Sequence, residues 1–170
     1  LIEIEKEAVL ELGNDESYEL EIFPNKISLK ARTDIGALRG LSTLKQLISV
    51  QNGAYGFPQV RIKDKPRFPW RGLMLDVSRH FMPVETVKRT IELLALHKMN
   101  RLHWHLTDDQ GWRLEIKKHP ELTGIGARFP PGWNERASCQ GFYTQDEMRA
   151  LIAYARQRNI TIVPEIELPG

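Results

Sequence analysis

Apolar and polar residues alternate over positions 19–23 and again over 26–32, on either side of Pro24 and Asn25. A period of two broken by turn formers predicts two half-buried antiparallel strands joined by a tight turn. The period then changes. Ile35, Leu38, Leu41, Leu44 and Ile48 fall at near-helical spacing, with Asp34 placed to cap the N-terminus and Arg39 and Lys45 on other faces. After a loop over 52–58, residues 59–63 read as one more short strand. Residues 1–64 therefore form a small α+β unit, with no polar cluster that suggests chemistry.

Residues 64–69 carry Pro66 and Pro69, which exclude both a helix interior and a central strand, so this stretch reads as a linker. Over 65–170 the rhythm is different. Residues 72–77 are a short apolar run, and 84–97 are helical with Val84, Val87, Ile91, Leu94 and Ala95 on one side. Residues 101–106 are strand-like. Thr144 and Glu147 have capping-box spacing ahead of Met148, Leu151, Ile152 and Ala155, and 160–166 read as a third buried strand. The order strand, helix, strand, helix, strand predicts parallel strands with crossover helices. That is either a doubly wound sheet or the start of a (β/α)8 barrel.

The polar residues at the strand ends choose between the two. Asp76, Ser78, Arg79 and His80 follow the first strand, His105, Thr107, Asp108, Asp109 and Gln110 end or follow the second, and Glu165 and Glu167 sit at the third. Both parallel architectures place ligand sites at carboxyl strand ends. A dinucleotide site needs a glycine-rich turn after its first strand, and residues 76–81 contain no glycine, which favours the barrel. The loop over 107–143 is long for a strand-to-helix connection and carries Trp112, Phe129, Trp133, Phe142 and Tyr143, a composition that suits ligand binding.

Composition narrows the setting. In 170 residues, 41% are hydrophobic and 27% charged, enough to bury a core and too ordered in pattern for a disordered chain. Lys plus Arg number 24 against 22 for Asp plus Glu, a net +2 without a basic run, so charge nominates neither nucleic acid nor acidic lipid as a partner. Cys139 is the only cysteine, which leaves no intrachain disulfide and no zinc-spaced Cys/His cluster. No stretch approaches the roughly 20 apolar residues of a membrane span. A chain opening on Leu1 and closing on the turn signal Pro169-Gly170 is expected to be a piece of something longer.

Each polar feature has a plainer explanation. His103 and His105 share a strand face and could bind a metal with Asp108 or Asp109, or could satisfy neighbouring hydrogen bonds. Asp108-Asp109 could be a structural turn, and Arg79 a framework ion pair with Asp76. Trp112 and Trp133 suit packing as well as stacking on a sugar face. Taken together the clusters are harder to dismiss, because burying so many polar groups is costly unless each is paired or used.

Residues 71–81 (RGLMLDVSRHF), 98–113 (KMNRLHWHLTDDQGWR) and 163–170 (VPEIELPG) closely resemble, in order and spacing, the first three βα units of the family 20 glycoside hydrolases, the β-N-acetylhexosaminidases. The resemblance covers Pro66 to Gly170, and residues 1–64 resemble more weakly the small α+β domain that precedes the barrel in that family. It implies an α/β fold: the first three βα units of a TIM (β/α)8 barrel, preceded by a small α+β domain. It also implies an enzyme that removes terminal non-reducing N-acetylglucosamine or N-acetylgalactosamine with retention, without metal or other cofactor, the substrate's own 2-acetamido oxygen being the nucleophile.

The family's acetamido-orienting Asp and general-acid Glu follow the fourth strand, so no catalytic residue is expected in this chain and the chain alone is expected to be inactive. Arg79 matches the arginine that hydrogen-bonds the sugar's 3- and 4-hydroxyls. Asp108 matches the aspartate of a network that tunes the general acid, Glu167 matches the acidic position before Pro-Gly, and His105 matches a strand position facing the active site. The implied partner is an N-acetylhexosamine-containing glycan, with self-association through the open barrel edge. An extracytoplasmic location, periplasmic or secreted, is the expectation for the parent. The alternatives are a non-catalytic glycan-binding module and a metal hydrolase built on His103, His105 and Asp108.

Overall fold

The structure, a computed structural model, describes residues 1–51, 53–129 and 140–168. Cys139, Trp133 and the Pro169-Gly170 turn lie outside the described residues. The chain divides into two compact units, Leu1–Trp70 with Leu96–Lys98, and Arg71–Ala95 with Met99–Gly170.

The first unit contains β1 (Ile2–Lys6), β2 (Tyr18–Phe23), β3 (Lys26–Thr33), α1 (Asp34–Gln46), β4 (Ser49–Gln51), β5 (Ala54–Gly56) and β6 (Val60–Asp64). Its sheet has the order β1-β3-β2-β6, with β1 parallel to β3 and the other pairs antiparallel. Tyr18, Leu20, Ile22, Leu29 and Ala31 are buried in one cluster with Ala37 of α1. In the other phase of the strands, Glu3, Lys30, Glu19 and Lys63 stand side by side across all four, with Glu3–Lys30 at 3.1 Å and Glu19–Lys63 at 2.5 Å. Unlike charges on directly opposed positions stabilise cross-strand pairs.

Three expectations for this unit are corrected. Thr33, not Asp34, is the N-cap of α1: it is the last, extended residue of β3, and its hydroxyl accepts from Gly36 N at 3.0 Å. Asp34 instead accepts from Ala8 N at 2.9 Å. The stripe of large apolar residues is not the buried face either. Leu38 and Leu41 are exposed, and Ile35, Gly36, Ala37, Arg39 and Gly40 are buried. Close approach is the reason, since a Cβ on Gly36 would lie 2.5 Å from the Ser17 carbonyl oxygen and one on Gly40 would strike a Leu29 methyl. Arg39 is buried because Glu16 reaches it at 2.6 Å. Finally, α1 stops at Gln46, before Ile48, and the expected loop contributes β5 to a hairpin with β4.

The second unit contains β7 (Gly72–Asp76), α2 (Val84–Leu96), β8 (Arg101–Asp108), β9 (Gly111–Trp112), the short α3 (Glu121–Gly124), α4 (Gln145–Arg156) and β10 (Thr161–Ile166). The strands β7, β8 and β10 are parallel in the order β10-β8-β7, and β9 folds back antiparallel onto β8. Leu102, Trp104 and Leu106 of β8 are wholly buried with Val87, Ile91 and Leu94 of α2 and Leu151 and Ala155 of α4. The expected capping box opens α4: Glu147 N donates to Thr144 Oγ1 at 3.2 Å and Thr144 N donates to Glu147 Oε2 at 2.8 Å. Asn159 closes the helix in the left-handed region at φ 56°, which drops Ile160 into the core.

Burial was over-read in the outer strands. Only β8 is covered on both sides along most of its length, while Leu73 and Met74 of β7 and Ile166 of β10 are exposed. β7 and β10 flank the path, so their apolar sequence marks faces that this sheet does not itself cover. Ile152, expected on the buried stripe of α4, is also exposed.

The packing of α1 yields a test whose sign opposes helix propensity. Alanine is favoured over glycine in a helix by about 1 kcal/mol, yet Gly36→Ala must push α1 away from the Ser17 carbonyl, a backbone atom. A net loss of about 1–3 kcal/mol is expected, read as a lower urea midpoint. An unchanged or higher midpoint would show that the helix does not sit this close.

Candidate active site

Parallel pairing builds the site. Asp76 of β7, His105 of β8 and Glu165 of β10 are direct register neighbours, so three polar side chains form one row across the sheet near its carboxyl end. One step back along the strands, His103 lies between Met74 and Val163. The core residues Leu102, Trp104 and Leu106 occupy the opposite phase of β8, which leaves this phase for polar groups.

Arg79 is at the centre. Asp76 Oδ1 accepts from the backbone N–H groups of Ser78 and Arg79 at 3.0 and 3.1 Å, a tight turn that brings the guanidinium back over the row. Arg79 Nη1 donates to Asp76 Oδ2 at 3.0 Å and lies 3.3 Å from His105 Nδ1. Its Nη2 reaches Asp108 Oδ2 at 2.8 Å, and its Nε donates to Gln110 Oε1 at 2.8 Å. The guanidinium pKa is raised, first by the hydrogen bond to Asp76. The Arg79 side chain remains half exposed, at 50%, so a planar donor group is anchored on carboxylates while part of it still meets solvent.

Asp108 is held in its ionised form. The backbone N–H of Asp109 donates to its Oδ1 at 2.8 Å and is the first cause lowering its pKa, with the Arg79 guanidinium adding to the effect. His105 is buried, and its Nε2 lies 3.2 Å from Asp108 Oδ2 and 3.1 Å from the Thr107 carbonyl. Glu165 joins the cluster through His103, at 2.7 Å. Glu167 is tied in only by its backbone: its N–H donates to Thr107 Oγ1 at 2.9 Å, while its side chain is exposed.

The structure therefore brings Asp76, Arg79, His105, Asp108, Gln110 and Glu165 together. It leaves His80 and Asp109 exposed and turns Ser78 inward, where its hydroxyl donates to the Gly111 carbonyl at 2.8 Å. The pair Arg79–Asp76 weighed above exists, alongside the pair to Asp108. His103 and His105 do share a face, but each turns a ring nitrogen to a carboxylate, and among the described residues no three metal-binding side chains converge.

The aromatic loop needs correction. Tyr143 is a core residue, wholly buried against Trp104 and Phe81 with centroids 4.7 and 5.0 Å away, its hydroxyl donating to the Met82 carbonyl. Burial raises its pKa accordingly. Trp112 is half-buried and donates to the Leu114 carbonyl at 2.6 Å, and Phe142 is exposed.

Sequence reading missed Arg113. It is wholly buried, and its guanidinium donates to the carbonyls of Val77, Ser78, Ala127 and Gly141 at 3.0, 2.8, 2.7 and 3.1 Å. Gly111 is required beside it, because a Cβ there would lie 2.6 Å from the guanidinium carbon. The one available signal was an arginine two residues after a glycine, set between Trp112 and Leu114.

A βαβαβ unit with an anchored cationic fork at its carboxyl end defines a parallel α/β protein with a polar cluster where such folds place their sites. The comparisons sharpen that class. Residues 68–170 match the family model "Glycosyl hydrolase family 20, catalytic domain", and residues 1–47 match "beta-acetyl hexosaminidase like". A beta-hexosaminidase of Vibrio furnissii is 47% identical over 163 residues, covering 91% of this chain and 26% of that protein. The crystal structure of Flavobacterium johnsoniae chitobiase superposes with a TM-score of 0.87 at 48% identity, over 98% of this chain and 24% of that one. An exo beta-N-acetylglucosaminidase of Vibrio harveyi, solved with N-acetylglucosamine, gives 0.86 at 43% identity, over 99% and 27%. The chain belongs to glycoside hydrolase family 20. It spans about a quarter of the length of these relatives.

The site yields a stability test. In Arg113→Lys an ammonium offers three donors on a flexible stem where a rigid fork now serves four carbonyls. Each buried carbonyl left unsatisfied costs about 1–3 kcal/mol, so the urea midpoint should fall by the equivalent of at least one of them. A midpoint within error of the parent's would show that the guanidinium does not hold these segments.

Proposed function

We propose that residues 1–170 are the N-terminal part of a β-N-acetylhexosaminidase: a small α+β domain over 1–64, then the first three βα units of a (β/α)8 barrel over 65–170. The whole enzyme hydrolyses terminal non-reducing N-acetylglucosamine or N-acetylgalactosamine with retention, the substrate's acetamido oxygen acting as nucleophile. In this reading Arg79 grips the 3- and 4-hydroxyls of the sugar, and Asp108 belongs to the network that tunes the general acid. Glu167 and His105 line the same active-site face. The acetamido-orienting carboxylate and the general acid are supplied by residues after a fourth strand, so neither lies within 1–170.

The observation that carries the reading is the fork of Arg79, half exposed at the carboxyl end of the parallel strands and fixed by Asp76, Asp108 and Gln110. Two adjacent sugar hydroxyls suit a planar guanidinium better than a single ammonium. Two units of unequal character, breaking at Trp70/Arg71, support the domain division. The exposed apolar residues of the outer strands β7 and β10 support further strands or a second copy packing there.

In the longer enzyme, Arg79→Lys should lower kcat/KM on a chromogenic N-acetylglucosaminide by roughly ten-fold to several thousand-fold, with a small change in Tm. Near-normal kinetics with a large fall in Tm would make Arg79 a framework residue and end its proposed role. The 170-residue chain by itself should give only the buffer rate on the same substrate and should self-associate in sedimentation. Turnover that copurifies with the chain, reproduced across independent preparations, would show that the catalytic groups have been misplaced.

A further inference from the structure

We infer that His105 is a positioning residue, held as the neutral Nε2–H tautomer, that locks Arg79 to Asp108. This rests on the reading of Arg79 and Asp108 just given and assigns that site a further member. The argument begins at Nε2. Its two neighbours, Asp108 Oδ2 at 3.2 Å and the Thr107 carbonyl at 3.1 Å, can only accept, so Nε2 carries a proton. Nδ1 faces the opposite way. The atom in hydrogen-bond range there is Arg79 Nη1 at 3.3 Å, which can only donate, while Glu165 Oε2 at 3.6 Å and Asp76 Oδ1 at 3.9 Å stand beyond it. Nδ1 is therefore the acceptor, and the ring is neutral.

Geometry makes the ring a rigid link. Arg79 and Asp108 touch directly at 2.8 Å, and His105 bonds to both from beneath, closing a three-membered hydrogen-bonded circuit. The ring is buried and cannot swing out, whereas the Arg79 side chain is half exposed. Behind it, Glu165 is held by His103 at 2.7 Å, which keeps that carboxylate from taking the Nδ1 position. An ion pair at a solvent boundary is weak and mobile by itself. Two hydrogen bonds to a buried ring hold the guanidinium plane and the carboxylate in one orientation before any ligand arrives.

The test reads the tautomer and the lock separately. Long-range 15N–1H correlation spectra of the longer enzyme, 15N-labelled at histidine and arginine, at pH 7 and without sugar, should show His105 protonated at Nε2 alone. An Nδ1–H or doubly protonated ring would overturn the inference. Arg79 should give resolved Nη1 and Nη2 resonances, because rotation of a fork bonded at both ends is slow. In His105→Leu that rotation should speed up by roughly ten-fold, the effect of one charge-assisted hydrogen bond. In His105→Gln, whose amide can donate to Asp108 and accept from Arg79, it should stay slow. A Leu variant that folds and keeps slow rotation overturns the inference, as does a folded Gln variant as fast as Leu. If N-acetylglucosamine fails to bind the longer enzyme while the tautomer and the lock are found, the sugar-binding reading falls and this one stands.

Discussion

The site depends on a buried cation that is not itself part of it. Arg113 donates to the carbonyls of Val77 and Ser78, the two residues that lead into Arg79, and packs its guanidinium on Gly111, the residue after Gln110. Both arms of the polar cluster are thus tied to one planar group. Such an arrangement is expensive to assemble, because a charge is withdrawn from water and every donor must find a partner. Its advantage is directional. Four carbonyls meeting one rigid fork fix the relative positions of the β7–α2 turn, the β9 turn and the segments around Ala127 and Gly141 far more tightly than apolar packing would.

The second constraint is the register of parallel strands. Because side chains alternate and the pairing is in phase, Asp76, His105 and Glu165 must share a face and a level once Leu75, Trp104 and Pro164 are paired on the other. A one-residue slip of β8 would turn Trp104 out of the core and bury its absence under α2 and α4. The apolar core thus enforces the polar row, and no separate interaction is needed to bring the three groups together.

This explains what the sequence made legible and what it hid. The parallel strands, their helices, the capping box at Thr144 and the polar strand ends all follow from periodicity and local chemistry, so they were readable in the one-dimensional pattern. So was the cluster of Arg79, His105 and Asp108, although Arg79 and His105 are 26 positions apart, because polar residues mark the end of each strand and parallel pairing sets those ends side by side. Close approach was not readable. The buried face of α1 is set by Gly36 and Gly40 rather than by its leucines, and that depends on how near the helix comes to Ser17 and Leu29. Long-range polar partners were hidden for the same reason. Arg39 with Glu16, Arg113 with four carbonyls and Tyr143 with Met82 are pairings across 23, 14 to 36 and 61 positions, which no local window contains.

The ion pairs of Arg79 with Asp76 and Asp108 are present, and they are compatible with the ligand-binding fork proposed for it rather than an alternative to it. A guanidinium meant to meet two hydroxyls must not be free to rotate, since each unfrozen torsion would have to be ordered when the ligand arrives. Asp76, Asp108 and Gln110 provide that restraint on three nitrogens, and the restraint leaves the side chain half exposed rather than buried. Gln110 differs from the two carboxylates in being neutral, so its bond to Nε is the weakest of the three and the one a hydroxyl oxygen can most readily replace. The restraint is thus divided: carboxylates hold the arginine, and a neutral amide occupies the edge that a neutral ligand would most readily take.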